Sequence, residues 1–159
     1  MVMRVGFGFD THKLEPGRPF ILGGVQIEHS MGAAGHSDAD VLIHAIIDSL
    51  LGAAGLPDIG QQFPDTSPEF KDIDSSILLN KTLRLITEKG FAIGNIDCTI
   101  VLQQPKIAEY IPLMITSLSD TLAISAGQIN IKAKTSEKLG FIGREEGLSA
   151  YAVALLSDI

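Results

Sequence analysis

The first ten residues contain the pattern that most restricts the fold. From Val2 to Asp10, glycines at 6 and 8 alternate with Val5, Phe7 and Phe9. Side chains of a strand alternate between faces, so this segment predicts a strand with one apolar face and one face stripped of side chains for the close approach of another element. The run ends in Asp10-Thr11-His12, whose first and last members point the same way.

Further elements follow from periodicity and punctuation. Phe20-Ile21-Leu22 and Val25-Gln26-Ile27 flank Gly23-Gly24, a two-residue hairpin signal. Met31-Gly32-Ala33-Ala34-Gly35 is small, which predicts a flexible loop able to close over a substrate. Ser37 with Asp40 three residues later has capping-box form and predicts a helix from about Asp38 to Leu51, ended by Gly52 and Gly55. A second helix is predicted from Asp74 to about Lys89, stopped by Gly90. A third is predicted over Ile107–Leu122 with Pro112 in its first turn. Strands are predicted over Ile96–Gln103 and Ile129–Lys134. Leu148–Leu156 suits a helix by its alanines and a central strand by its apolar character. The elements combine into a single α+β domain spanning 1–159, a sheet with helices on one face.

The chemistry-bearing residues fall in short runs: Asp10-Thr11-His12, then His36-Ser37-Asp38-Ala39-Asp40 leading to His44, and later Phe63-Pro64-Asp65. His44 sits one helical turn beyond Asp40 and one turn before Asp48, so two histidines and a carboxylate are able to converge. Asp plus two His suits Zn²⁺ and leaves a fourth tetrahedral position open. The blander reading makes Asp10 a turn cap and His44 a core histidine satisfied by Asp40 or Asp48. As a ligand, His44 has its second ring nitrogen held by one of those two. Asp58-Ile59-Gly60 and Phe63-Pro64-Asp65-Thr66 otherwise read as turn chemistry.

Composition removes several functions. With 12 basic against 19 acidic residues, a net charge of −7 and no basic stripe, a nucleic-acid partner is not expected. An acidic protein that binds a phosphorylated substrate must reverse the local sign, and divalent cations do so. Charged residues are only 19% and mean hydropathy is +0.27, an apolar excess that suits a subunit interface. The one cysteine, Cys98, lies in an apolar run and reads as a buried core residue without a disulfide. No membrane span or targeting segment is apparent, so a cytoplasmic protein, or an organellar one with its transit peptide removed, is expected.

The ordered series Gly8-Phe9-Asp10-Thr11-His12, His36-Ser37-Asp38-Ala39-Asp40 through His44, Asp58-Ile59-Gly60, Phe63-Pro64-Asp65-Thr66, Pro105-Lys106, Lys132-Ala133-Lys134-Thr135-Ser136-Glu137-Lys138-Leu139-Gly140-Phe141 and Gly143-Arg144 resembles the 2-C-methyl-D-erythritol 2,4-cyclodiphosphate synthases of non-mevalonate isoprenoid synthesis. The resemblance runs from Arg4 to the C-terminus. It implies a mixed sheet in a chorismate-mutase-like trimeric sandwich, with 148–156 as a strand and active sites between subunits of a homotrimer. The implied reaction closes 4-diphosphocytidyl-2-C-methyl-D-erythritol 2-phosphate to the cyclic diphosphate with loss of CMP. The resemblance assigns Asp10, His12 and His44 to Zn²⁺, and Glu137 to Mg²⁺ or Mn²⁺. It assigns His36 and Ser37 to the erythritol phosphate, and Ser37 at a helix N-terminus is expected to add backbone donors. Asp58 and Gly60 go to the ribose, Asp65 to the erythritol hydroxyls, and Pro105, Lys106, Ala133, Lys134 and Thr135 to the cytosine and α-phosphate. Asp10, His12, His36, Asp65, Thr135 and Glu137 are thus the candidate catalytic set. Phe9, Phe141 and Arg144 match residues lining a threefold cavity. Lys134 stands where some members have threonine, and Tyr151 where the enterobacterial form is acidic. Two other readings are a zinc hydrolase with Asp65 or Asp48 as base, and a trimeric binding protein without chemistry.

Overall fold

The computed structural model describes residues 1–159. The elements in chain order are β1 (Met3–Pro16), β2 (Phe20–Leu22), β3 (Val25–Ile27), β4 (Met31–Ala33), α1 (Val41–Ala53), α2 (Ile59–Gln62), α3 (Ser75–Glu88), β5 (Phe91–Val101), α4 (Ile111–Leu122), β6 (Ile129–Lys134), α5 (Gly140–Gly143) and β7 (Gly147–Asp158). One sheet has the order β4-β1-β7-β5-β6, with only the β5–β6 pair parallel, and β2–β3 form a separate hairpin. No helix is long and apolar enough to cross a membrane.

The glycine face of β1 lies under α1. A Cβ on Gly6 would stand 1.9 Å from the Ser49 carbonyl oxygen, and one on Gly8 would stand 1.9 Å from that of Ala45. Helix and strand backbones therefore meet at a distance only glycine permits. Helix α1 is apolar nearly all round, as a helix between a sheet and other helices must be. Val41, Leu42, Ile43, Ala45, Ile46, Ile47, Leu50 and Leu51 are buried, while His44, Asp48 and Gly52 form its one accessible stripe. The opposite sheet face carries Val5, Phe7, Phe9, Tyr151 and Val153, all exposed, with Phe7 at 62% and Phe9 at 50%.

Three expectations are corrected. Met31–Ala33 is an edge strand paired with Leu14–Pro16, and its glycine serves packing: a Cβ on Gly32 would lie 2.2 Å from the Pro19 carbonyl oxygen. The N-cap of α1 is Asp40, whose side chain accepts from the Ile43 amide, so Ser37 precedes the helix and its backbone is no part of the helix N-terminus. The first strand extends six residues past Asp10 to Pro16. The ambiguous C-terminal run is the central strand β7, buried alternately between β1 and β5. The 107–122 segment starts as a 3-10 turn, Ala108–Tyr110, before α4.

Candidate metal centre and cleft

Because Asp10 and His12 share the parity of Gly6 and Gly8, their side chains rise on the helix side of the sheet, where α1 carries His44. Asp10 Oδ2 lies 2.8 Å from His12 Nε2 and 3.0 Å from His44 Nδ1, and the two nitrogens are 3.3 Å apart. These three are the one His/Cys/Asp/Glu group whose ligand atoms converge, all within 4.8 Å of one another. Two imidazoles and a carboxylate are a donor set that fits Zn²⁺ with a position left open.

Electrostatics agrees with an ion-pair cluster. Burial alone would raise Asp10, but hydrogen bonds and charge from His12 and His44 pull it down to about 2. Burial works against a charged His12, yet Asp10 and the Ala34 carbonyl together hold it above the usual histidine value. His12 Nδ1 is 2.7 Å from the Ala34 oxygen, an acceptor, so that nitrogen carries the proton and Nε2 faces the cluster.

The second nitrogen of His44 meets neither Asp40 nor Asp48, contrary to the sequence-based expectation. Its Nε2 lies 2.9 Å from Ser75 Oγ and 3.1 Å from Ser37 Oγ. Asp48 accepts from the Ile59 amide at 2.8 Å, pinning the 58–60 segment. Asp40 is buried beneath the β2–β3 turn, accepting from the Gly23 and Gly24 amides at 2.9 and 2.7 Å. Ser75 had no signal in the sequence beyond its place after a helix cap.

A cleft of about 250 Å³ adjoins the cluster, lined by His12, His36, Ser37, His44, Gly60 and Asp65 among others. His36 Nε2 and Asp65 Oδ2 are 3.5 Å apart across its mouth. Asp58 caps α2 through the Gln61 amide at 3.0 Å. A separate cavity of about 210 Å³ lies at the β6 edge, lined by Pro105, Lys106, Ala133, Lys134 and Thr135 with Leu102, Gln103, Ile107 and Ala108. Glu137 follows Thr135 on an exposed turn, its amide donating to Thr135 Oγ1 at 3.2 Å. Phe141 borders a third recess with Thr11, His12, Lys13 and Glu146, and Arg144 pairs with Glu146 at 2.7 Å. His12, His36, Ser37, His44, Gly60 and Asp65 thus share one cleft, Pro105, Lys106, Ala133, Lys134 and Thr135 share a second cavity, and Phe141 borders a third recess, while Asp58, Glu137 and Arg144 are among the lining residues of none of them.

Fold and cluster together define an α+β mixed-sheet protein with a candidate divalent-metal centre. The chain belongs to the YgbB family, whose model matches residues 3–157. It is 57% identical to the 2-C-methyl-D-erythritol 2,4-cyclodiphosphate synthase of Bacteroides thetaiotaomicron over 98% of both chains. Among solved structures it is similar to IspF of Plasmodium falciparum in its CDP complex, at TM-score 0.87 and 38% identity over 98% of this chain and 96% of that one. It is also similar to the bifunctional IspDF of Campylobacter jejuni, at TM-score 0.96 and 42% identity over 99% of this chain and 43% of that longer one. The activity follows from the family: the chain is a lyase that forms 2-C-methyl-D-erythritol 2,4-cyclodiphosphate.

Proposed function

We propose that the cleft beside Asp10, His12 and His44 binds the reacting diphosphate of 4-diphosphocytidyl-2-C-methyl-D-erythritol 2-phosphate and turns the substrate back upon itself. The convergence of those three ligand atoms carries this reading. An oxygen of the substrate's 2-phosphate attacks the β-phosphorus, the bond from that phosphorus to the CMP oxygen breaks, and CMP leaves. The nucleophile belongs to the substrate, so the protein's share is positioning and charge neutralisation.

Asp10 Oδ2, His12 Nε2 and His44 Nδ1 would hold Zn²⁺, which when bound supplies Lewis-acid polarisation and a template for the phosphate. His36 and Ser37 orient the erythritol phosphate, and Asp65, beside His36, holds the erythritol hydroxyls. Asp58 and Gly60 face the ribose. In the other cavity Pro105 and Ala133 give an apolar wall for cytosine, while Lys106, Lys134 and Thr135 serve the α-phosphate. Glu137 is the carboxylate for Mg²⁺ or Mn²⁺; as a lone protein ligand it suits an ion that takes its remaining oxygens from phosphates and water.

The two cavities belong to one reaction when neighbouring subunits of a cyclic homotrimer bring them together, with Phe9, Phe141 and Arg144 toward the axis. The exposed apolar face of β1 and β7 supports this assembly, because a monomer rarely leaves such a patch open to water. A cytoplasmic setting suits the unpaired, buried Cys98. The test is a phosphorus NMR assay of product with the cytidyl substrate, with and without chelator, alongside elemental analysis. About one zinc per chain, lost together with turnover in His44→Ala, is the expected result. Full turnover in His44→Ala would exclude the metal assignment.

A further inference from the structure

We propose that Asp48 is a positioning residue that fixes the 58–60 turn against α1, so that Asp58 and Gly60 meet the ribose hydroxyls together and the site selects a nucleotide with an intact diol; this rests on the reading above that those two residues face the ribose. The hydrogen bonds of the turn are of two kinds. Asp58 Oδ1 accepts the Gln61 amide at 3.0 Å, the Asp58 carbonyl accepts the Gln61 and Gln62 amides, and the Ile59 carbonyl accepts the Phe63 amide at 2.9 Å. All of these close within residues 58–63, so they shape the turn without anchoring it. The one that leaves the segment runs from the Ile59 amide to Asp48 Oδ1, at 2.8 Å. The Ile59 side chain also packs partly against the core, but apolar contact has no direction and does not orient a peptide group.

The amides of the turn are apportioned in a way that suits a diol. Ile59 gives its N–H to Asp48 and Gln61 gives its N–H to Asp58, while the Gly60 N–H between them has no acceptor in the chain. Asp58 keeps its second carboxylate oxygen. A fixed donor and a fixed acceptor two residues apart answer two adjacent hydroxyls, each of which can donate and accept. Asp48 holds the peptide between Asp58 and Ile59, the unit that joins the acceptor to the donor, so its loss would disturb both. His44 lies one turn earlier on the same accessible stripe of α1, about 5.4 Å along the axis. The tie therefore also sets the distance of the turn from the candidate metal centre. With one oxygen engaged by a backbone donor, Asp48 serves as an anchor here, in contrast to the general base of the hydrolase reading.

The experiment measures the affinities of CDP and of 2′,3′-dideoxy-CDP by calorimetry, with Zn²⁺ and Mg²⁺ present, for wild type, Asp48→Asn, Asp48→Ala and Ile59→Pro. Asparagine keeps an Oδ1 acceptor at the same reach, and alanine removes it. Proline removes the donor instead. It is tolerated at the first position of a helix, and Asp58, with ψ of 172°, already has the extended backbone required before a proline. The ratio of the two affinities cancels any loss from the Ile59 side chain, since both nucleotides would feel it. Wild type and Asp48→Asn should prefer CDP by about 10–100-fold, at about tenfold for each hydroxyl bonded. Asp48→Ala and Ile59→Pro should reduce that preference to within about threefold, through weaker CDP binding with dideoxy-CDP nearly unchanged. If Asp48→Ala does not fold, Ile59→Pro decides. Full preference in a folded Asp48→Ala, equal loss of preference in Asp48→Asn, or equal weakening of both nucleotides in Asp48→Ala overturns the proposal. A wild type indifferent to the diol removes the ribose reading and this role with it. Exchange of the Ile59 amide, faster in Asp48→Ala and unchanged in Asp48→Asn, then still shows whether the tie itself exists.

Discussion

Asp40 sits in the run His36-Ser37-Asp38-Ala39-Asp40 among residues assigned to the reaction, yet its contacts are architectural. Its Oδ1 accepts from the Gly23 amide at 2.9 Å and the Ile43 amide at 3.0 Å, and Oδ2 accepts from the Gly24 amide at 2.7 Å. Gly23 and Gly24 have φ of 59° and 74°, the backbone of a two-residue hairpin turn, so one carboxylate both caps α1 and clamps that turn to it. Asp40→Ala removes a helix cap, at a cost of about 1–2 kcal/mol. It also strands the buried Gly23 amide, at about 1–3 kcal/mol. The exposed Gly24 amide turns to water. The sum is about 2–5 kcal/mol, whose middle corresponds to roughly a 10 °C lower midpoint for a domain of this size. Asp40→Asn keeps an Oδ1 acceptor and forfeits only the Gly24 contact, so it should lose about 1 kcal/mol or less. Urea unfolding followed by circular dichroism at fixed protein concentration measures both, with zinc content measured on the folded variants. Equal loss in the two variants would refute the hydrogen-bond accounting. Loss of zinc from a folded Asp40→Asn would show that the residue serves the ion instead.

Gly8→Ala puts a methyl 1.9 Å from the Ala45 oxygen and should destabilise by at least about 3 kcal/mol, with zinc affinity falling as α1 and His44 are pushed off the sheet; chemical denaturation and chelator competition measure the two effects. Burial, helped by the charge of Asp97, pushes the Cys98 thiol up to about 12, so a thiol-specific reagent at pH 8 should react only after unfolding. The folded thiol keeps its proton where the unfolded one loses it. Its contribution to stability is therefore intact below about pH 9 and declines as pH rises toward 12, a slope that denaturation curves of Cys98→Ala should lack. Phe7→Asp should dissociate the proposed trimer, checked by sedimentation against the wild type, because it places a charge on the exposed apolar face. His44→Ala and Glu137→Ala chains, each inactive, should on co-refolding in equal amounts recover about one quarter of wild-type activity if sites are shared, and confirmed mixed trimers without recovery would rule sharing out.

What could be read from the sequence was local. The period-two alternation of β1 gave both its glycine face and the common direction of Asp10 and His12, since parity is all that argument needs. The i, i+4 relation of His44 to Asp48 likewise survives as the one accessible stripe of a buried helix. Failures came where two residues of the same type competed or where contacts were distant. Ser37 and Asp40 are both good caps, and the hairpin amides that bind Asp40 decide between them. Ser75 and Asp38 are 37 residues apart and meet only because α3 packs against the His36 loop. Smallness at 31–35 suggests mobility, but a glycine in a crowded place is equally a sign of contact.

Strand order separates the two groups of candidate residues within one chain. Thr11 pairs with Ser149, Ser149 with Val101, and Val101 with Lys134, so the strand of Asp10 and His12 and the edge that borders the second cavity lie on one row across β1, β7, β5 and β6. Three strand spacings separate the ends of that row by about 14 Å. The two phosphates of a diphosphate share a single bridging oxygen and cannot reach across two intervening strands to touch His12 on one side and Thr135 on the other. A second copy would solve the geometry without any change of fold: the cyclic interface proposed above would join the β1 side of one chain to the β6 side of the next. The exposed Val5, Phe7, Phe9, Tyr151 and Val153 supply the apolar area that such a contact buries, and the same alternation that puts Asp10 and His12 under α1 puts those side chains on the opposite face. One strand pattern therefore sets both the candidate ligand pair and the apolar surface available to the proposed subunit contact.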